Sequence, residues 1–108
     1  MSDTQHLLFV CTANQQRSPT AEEMFSEDDR YEARSCGTQA TVHRRCDEEI
    51  IDWADVIFCM EEMHRRELLD RFPVAENKKI VVLGIPDRYF RGDPELVRLL
   101  RERLQEWC

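Results

Sequence analysis

Residues 7–25 read LLFVCTANQQRSPTAEEMF, and the fold follows from this stretch. The short apolar segment at residues 6–10 predicts a strand that is buried on both faces, as in a parallel sheet. A polar loop at residues 11–17 follows it, beginning with a cysteine and ending with an arginine. Ser18 is predicted to be the N-cap of a helix that starts with a proline and covers residues 19–27. A strand, a polar loop and a helix N-terminus in this order form a cradle for an anion.

The rest of the chain repeats the alternation of strand and helix. Strands that alternate with helices predict an α/β fold, a three-layer sandwich with a four-stranded parallel sheet flanked by helices. We expect a single domain over residues 1–108. Polar side chains at the carboxyl ends of the strands would then meet at one edge of the sheet. The further elements predicted are strands at residues 31–35, 56–60 and 80–83 and helices at residues 47–53, 61–72 and from Pro94 onward.

The charge balance limits the classes of partner that the chain can bind. The chain has 15 Lys and Arg against 22 Asp and Glu, a net charge of −7. This predicts no nucleic-acid partner, since binding to a phosphate backbone depends on many basic side chains. The absence of an apolar leader and of a long apolar run predicts no membrane association. Five cysteines without a C-x-x-C pair fit neither a disulfide framework nor a zinc ribbon, so we expect a cytoplasmic protein.

The spacing of Cys11 and Arg17 indicates a nucleophile beside an anion site. A cysteine attacks as the thiolate, and backbone N–H groups at a helix N-terminus stabilise negative charge on the sulfur. The same donors would hold a phosphate, and the planar arginine fork binds two phosphate oxygens at once. A buried cysteine at a strand end is also common as a small apolar residue, so the spacing alone leaves a purely structural role open.

The stretch FVCTANQQRSPTAE resembles the signature of the low-molecular-weight protein tyrosine phosphatases, which has the form V-C-x-x-N-x-x-R-S-P. Residues 35–38 (SCGT) are similar to the family's S-A-G-T segment. Residues 52–68 (DWADVIFCMEEMHRREL) are similar to its strand and helix with the D-x-I-x-x-M pattern, and residues 85–90 (IPDRYF) to its D-P-Y/F loop. The resemblance implies a phosphotyrosine phosphatase I-like fold, in a short and compact branch of the family.

The resemblance also implies the roles of individual residues. Cys11 would form a phosphocysteine, Arg17 would bind the phosphoryl oxygens, and Asp87 would act as general acid and then as general base. The substrate would be a phosphorylated protein or a small aryl phosphate, and neither a metal nor a cofactor is implied. The phosphate would be bound by Thr12, Ala13, Asn14, Gln15, Gln16, Arg17 and Ser18, with Asn14, Ser18 and Ser35 supporting the loop and Tyr89 and Phe90 forming a pocket wall.

Three positions depart from the family pattern. Gln16 stands where many members have a second cysteine, Ala13 replaces a frequent glycine, and Arg88 replaces the proline after the general acid. Asp93 is followed by a proline, as in the family motif, but its neighbours favour a helix N-cap. We therefore expect Asp87 to be the acid.

Two other functions remain open from the sequence. A thiol-dependent arsenate reductase needs resolving cysteines, for which Cys36 and Cys46 are the realistic redox partners and Cys59 lies within a strand. A non-hydrolytic anion-binding or phosphocarrier module would need the cysteine loop but not the pair of Arg17 and Asp87. His43 and His64 have no metal-ligand spacing and are predicted to be surface or helix-face residues. The charged run at residues 61–66 is predicted to be a solvated helix face.

Overall fold

Four parallel strands form one sheet in the computed structural model, which describes residues 4–108. The strands are β1 (Gln5–Cys11), β2 (Tyr31–Gly37), β3 (Val56–Cys59) and β4 (Lys79–Val82). Their order in the sheet is β2-β1-β3-β4, so the two strands in the middle are the most apolar ones, β1 and β3. The helices are α1 (Arg17–Met24), α2 (Glu48–Trp53), α3 (Glu62–Arg71) and α4 (Pro94–Leu104). The predicted fold class is confirmed.

Both faces of the sheet are covered. On one face Phe9 and Phe58 pack with apolar side chains of α1 and α4, and on the other Leu8 and Ile57 pack with those of α2 and α3. Because side chains alternate along a strand, Cys11 lies on the same face as Phe9, the face covered by α1 and α4. The parallel pairing brings the carboxyl ends of all four strands to one edge of the sheet.

Most predicted element boundaries lie close to the observed ones, but one error affects the site. Helix α1 begins at Arg17, its N-cap is Gln16, and the expected N-cap role of Ser18 is wrong. The hydroxyl of Ser18 is bonded instead to Cys11 and Asn14, as described below. Pro19 lies in the first turn of the helix, where a backbone N–H would have no intrahelical partner. No helix within residues 4–108 has the length and apolar character to cross a membrane.

Two helix ends follow the predicted signals. Asp93 is the N-cap of α4 and accepts a hydrogen bond from the backbone N–H of Glu95 at 2.9 Å. Pro73 ends α3, as expected for a residue that cannot continue a helix, but the chain goes on as a 3-10 turn (Pro73–Asn77) that the sequence did not predict.

Candidate active site

Cys11 ends β1, and its sulfur receives hydrogen bonds from two sides. The Sγ atom lies 2.9 Å from the hydroxyl oxygen of Ser18 and accepts the backbone N–H of Asn14 at 3.3 Å. The Ser18 oxygen itself accepts a bond from the Asn14 side-chain amide at 2.9 Å. Its hydroxyl proton is therefore free to point at the sulfur. This arrangement stabilises negative charge on Cys11.

Asn14 sets the shape of the phosphate loop, which we define as residues 11–17. Its φ of 57° is the one positive value at a non-glycine position in the described chain, and asparagine tolerates this left-handed conformation better than most residues. Its amide also donates to the hydroxyl of Ser35 at 2.9 Å, so two of the residues expected to support the loop are bonded to each other. Ser35 donates in turn to Glu22 at 2.5 Å. Ala13 has no positive φ, so the loop does not require a glycine there.

Gly37, at the end of β2, lies directly against the phosphate loop. A Cβ atom at this position would come within 2.6 Å of the carbonyl oxygen of Thr12 and 2.7 Å of the backbone nitrogen of Asn14. The next residues bond to the loop, since the backbone N–H of Thr38 donates to the carbonyl of Cys11 at 2.9 Å. Only glycine fits at this close approach.

Two hydrogen-bond acceptors fix the position of the Arg17 side chain. Its side chain is 2% exposed, and Nη1 donates to Glu61 at 2.8 Å and to the carbonyl of Ile85 at 2.7 Å. Within residues 4–108, Nε and Nη2 make no hydrogen bond, and Nε lies 3.9 Å from Asp87. Because Nη1 is already bonded, the other edge of the guanidinium can bind two oxygens of an anion.

Asp87 and the phosphate loop line one cavity of about 260 Å³. The Asp87 side chain is 67% exposed and lines this cavity together with Cys11. Asp93 is the helix cap described above, so the structure separates the two candidate acids by their surroundings. Asn14 and Ser18 are buried and do not line the cavity, which is lined by Cys11, Thr12, Ala13, Gln15, Gln16, Arg17 and Asp87.

His64 is completely buried, so the expectation of a surface or helix-face residue is wrong. Its Nδ1 atom accepts the backbone N–H of Glu61 at 3.0 Å, and a backbone N–H can only donate. The ring proton must therefore be on Nε2, which lies 2.9 Å from the hydroxyl of Thr12 and donates to it. Burial, followed by the nearby Arg17 guanidinium, lowers the pKa of His64 to about 4.

Glu61 is the second residue that the sequence did not reveal. It lies at the start of the charged run that is predicted to be solvated, yet its carboxylate binds Arg17. The N-terminus of α3 faces the phosphate loop, and this tertiary contact buries His64 and partly covers Glu61, whose side chain is 34% exposed. The only local signal is their place just after the end of β3, at the functional edge of the sheet.

Tyr89 and Phe90 lie beside the cavity rather than around it. With Gln16, Asp87 and Arg88 they line an adjoining depression. Tyr89 packs partly into the core, whereas Phe90 is 77% exposed. Their role as walls of a substrate pocket stays a prediction.

The remaining cysteines do not face Cys11. Cys36 and Cys46 are joined in a disulfide, so neither is a free thiol in this structure. Cys59 is buried on the opposite face of the sheet, where burial raises its pKa to about 12. Cys108 lies near Met24, at the other end of α1. A resolving thiol for Cys11 is therefore not in place among the described residues.

Comparison with known proteins gives a consistent result. Residues 6–54 match the family model described as low molecular weight phosphotyrosine protein phosphatase. The tyrosine phosphatase Wzb from Escherichia coli K30, solved with phosphate, has a TM-score of 0.78 at 22% identity, covering 96% of each chain.

Two further solved structures are also similar. The low molecular weight protein tyrosine phosphatase from T. tengcongensis has a TM-score of 0.73 at 26% identity, covering 97% of this chain and 100% of that one. The YwlE arginine phosphatase from Geobacillus stearothermophilus has a TM-score of 0.67 at 27% identity, covering 94% and 91%. Curated proteins give no match.

Proposed function

We propose that the chain, which is similar to the low molecular weight phosphotyrosine protein phosphatases, hydrolyses phosphotyrosine or another aryl phosphate through a phosphocysteine at Cys11. The observation that carries this proposal is the shared cavity, which brings together the Cys11 sulfur, the free edge of Arg17 and the Asp87 carboxyl. A nucleophile, an oxyanion clamp and an acid on one cavity are the parts that phosphoryl transfer needs.

In the first step the Cys11 thiolate attacks phosphorus and the bond from phosphorus to the aryl oxygen breaks. Asp87, in its acid form, gives its proton to the leaving oxygen, while Arg17 binds two of the phosphoryl oxygens. In the second step Asp87, now a carboxylate, takes a proton from water, which attacks phosphorus and displaces the sulfur. The Ser18 hydroxyl and the Asn14 N–H then stabilise the thiolate that leaves.

The test is hydrolysis of p-nitrophenyl phosphate by single variants. Cys11→Ser is expected to abolish turnover, and Asp87→Asn to lower kcat by roughly 10²- to 10⁴-fold, the usual contribution of a general acid. Inhibition by inorganic phosphate should persist in Asp87→Asn, because the phosphate loop is unchanged. Asp93→Asn is the matched control, and an equal loss of kcat in that variant would show that the acid has been wrongly assigned.

The substrate class is tested with the same protein. A similar solved structure is an arginine phosphatase, so phosphoarginine is measured beside phosphotyrosine and phenyl phosphate. We propose that aryl phosphates are preferred, with a phosphorylated protein in the cytoplasm as the physiological substrate. A higher kcat/KM for phosphoarginine than for phosphotyrosine would overturn that preference while leaving the phosphocysteine mechanism intact.

The two alternative functions predict different outcomes. An arsenate reductase would consume arsenate with thioredoxin or glutaredoxin, but Cys36 and Cys46 are bonded to each other and Cys59 is on the far face. A phosphocarrier would accumulate phosphocysteine without turnover, whereas Asp87 on the cavity favours its hydrolysis.

A further inference from the structure

Gln16 connects the phosphate loop to the segment that contains Asp87. We call that segment, residues 83–93 between β4 and α4, the acid loop. The Oε1 atom of Gln16 accepts the backbone N–H of Arg91 at 2.6 Å. We propose that Gln16 and Thr20 are positioning residues that fix the acid loop so that Asp87 reaches the leaving-group oxygen. This inference rests on the proposed function.

A second bond lies one helical turn further along α1. The hydroxyl of Thr20 accepts the backbone N–H of Gly92 at 3.0 Å and donates its own proton to the carbonyl of Gln16 at 2.7 Å. Thr20 is buried, so water does not compete freely for these bonds. Gly92 has a φ of 78°, a conformation that turns the acid loop toward the helix and that glycine adopts without strain.

A third contact extends the same face of α1. The Arg91 guanidinium donates from Nε to Glu23 at 3.0 Å. Gln16, Thr20 and Glu23 are spaced by four and three residues, the spacing of neighbours along one side of a helix. The exposed pair of Arg91 and Glu23 is worth little by itself. Gln16 and Thr20 therefore carry the attachment.

The other end of the acid loop is fixed as well. The backbone N–H of Ile85 donates to the carbonyl of Met60 at 2.8 Å, and its own carbonyl accepts from Arg17. Asp87 lies between these two attachments, and among the described residues its side chain has one oppositely charged group within 4 Å, the Arg17 guanidinium at 3.9 Å. The position of its carboxyl group thus depends on both ends of the loop.

Small displacements of the acid are costly. A general acid must come within about 2.6–3.2 Å of the atom that it protonates, and a misplacement of about 1 Å can lower the rate by roughly 10²-fold. A cysteine at this position would have a side chain that ends two bonds earlier and whose sulfur is a weak acceptor. In this chain the position is used to hold the acid loop.

The experiment compares kcat/KM for two substrates whose leaving groups need the acid to different degrees. Phenolate is a poor leaving group and depends on protonation by Asp87, whereas p-nitrophenolate leaves more readily. Gln16→Met keeps the side-chain length but removes the acceptor. We expect a loss of roughly 10- to 100-fold on phenyl phosphate and a several-fold smaller loss on p-nitrophenyl phosphate. Gln105→Met, on the exposed end of α4, is the matched control and should leave both values unchanged.

Thr20 gives an independent pair of variants. Thr20→Val removes the hydroxyl at nearly constant shape and should reproduce the selectivity of Gln16→Met, whereas Thr20→Ser keeps the hydroxyl and should restore the wild-type ratio. Circular dichroism checks the fold of each variant. If Thr20→Val does not fold, Gln16→Met alone tests the proposal, because Gln16 is only partly buried and its substitution should not disturb the fold.

A double variant separates positioning from a general structural role. Gln16→Met combined with Asp87→Asn should be no slower than Asp87→Asn alone, because the attachment acts through Asp87. Equal losses of Gln16→Met on both substrates, or losses that multiply in the double variant, would overturn the positioning role and leave the proposed function standing. Wild-type protein that hydrolyses neither substrate would overturn the proposed function, and the positioning role with it.

Discussion

His64 should make the folded protein sensitive to mild acid. The ring is completely buried and is neutral in the observed hydrogen bonds, with Nδ1 accepting from Glu61 and Nε2 donating to Thr12. A second ring proton would sit on Nδ1, facing the Glu61 N–H, and would add a positive charge near Arg17. Burial first, and Arg17 second, therefore lower the pKa of His64 from 6.5 to about 4.

The size of the effect follows from these two pKa values. Between about pH 6.5 and pH 4 the unfolded chain binds a proton on His64 that the folded protein does not bind, so the free energy of unfolding decreases as the pH falls. The stability that neutral His64 contributes is fully present above the pKa of the unfolded chain. It is lost as the pH falls from there through the pKa of the folded protein. Relative to pH 7.5, the expected loss is about 2 kcal/mol at pH 5 and about 3 kcal/mol at pH 4.

Urea unfolding at pH 7.5 and pH 5 measures this loss. Carboxylates also titrate in this range, so the comparison is with His64→Gln, which lacks the titrating ring but keeps an amide donor for Thr12. The wild type should lose about 2 kcal/mol more than His64→Gln between the two pH values. His43→Gln, at an exposed position, should behave as the wild type does. Equal pH dependence of the wild type and His64→Gln would refute the reasoning.

Three other variants or treatments test the surroundings of the phosphate loop. Gly37→Ala places a Cβ against loop backbone, so it should destabilise the protein by about 1–3 kcal/mol in urea unfolding and lower kcat/KM; wild-type values would contradict the close approach. Glu61→Ala releases Nη1 of Arg17 and should lower kcat/KM for an aryl phosphate by about tenfold, while Glu62→Ala should not; equal kinetics of the two variants would contradict the holding role. Reduction of the disulfide between Cys36 and Cys46, which are 10 residues apart, should lower the free energy of unfolding by about 2–3 kcal/mol while hydrolysis continues; an unchanged urea midpoint would mean that the bond is absent in solution.

Local patterns were sufficient to predict the sheet and the helix-cap role of Asp93. The apolar run before Cys11 can only be buried between two layers, and the sequence Asp93-Pro94 marks a helix start, which the structure has. The polar loop from Cys11 to Arg17 is short, so chain connectivity also keeps the arginine close to the cysteine.

The contacts behind the loop were not predictable from local sequence. His64 and Ser18 illustrate the reason. His64 sits in a helix whose sequence is mostly charged, and its burial depends on where the start of α3 meets the phosphate loop. Serine is a residue type that favours N-caps, but the hydroxyl of Ser18 bonds to Cys11 and Asn14. Those bonds exist only because the loop curls back over the start of the helix. In both cases a tertiary contact overrides a sound local preference.

The most direct test of the proposed mechanism is to trap the phosphocysteine. Asp87→Asn slows both release of the leaving group and attack by water, so brief incubation with p-nitrophenyl phosphate, acid quenching and peptide mass spectrometry should detect one phosphoryl group on the peptide that contains Cys11. The account predicts that this label is on Cys11 and is absent from Cys11→Ser. Turnover without any label on Cys11, or a label on another residue, would contradict it.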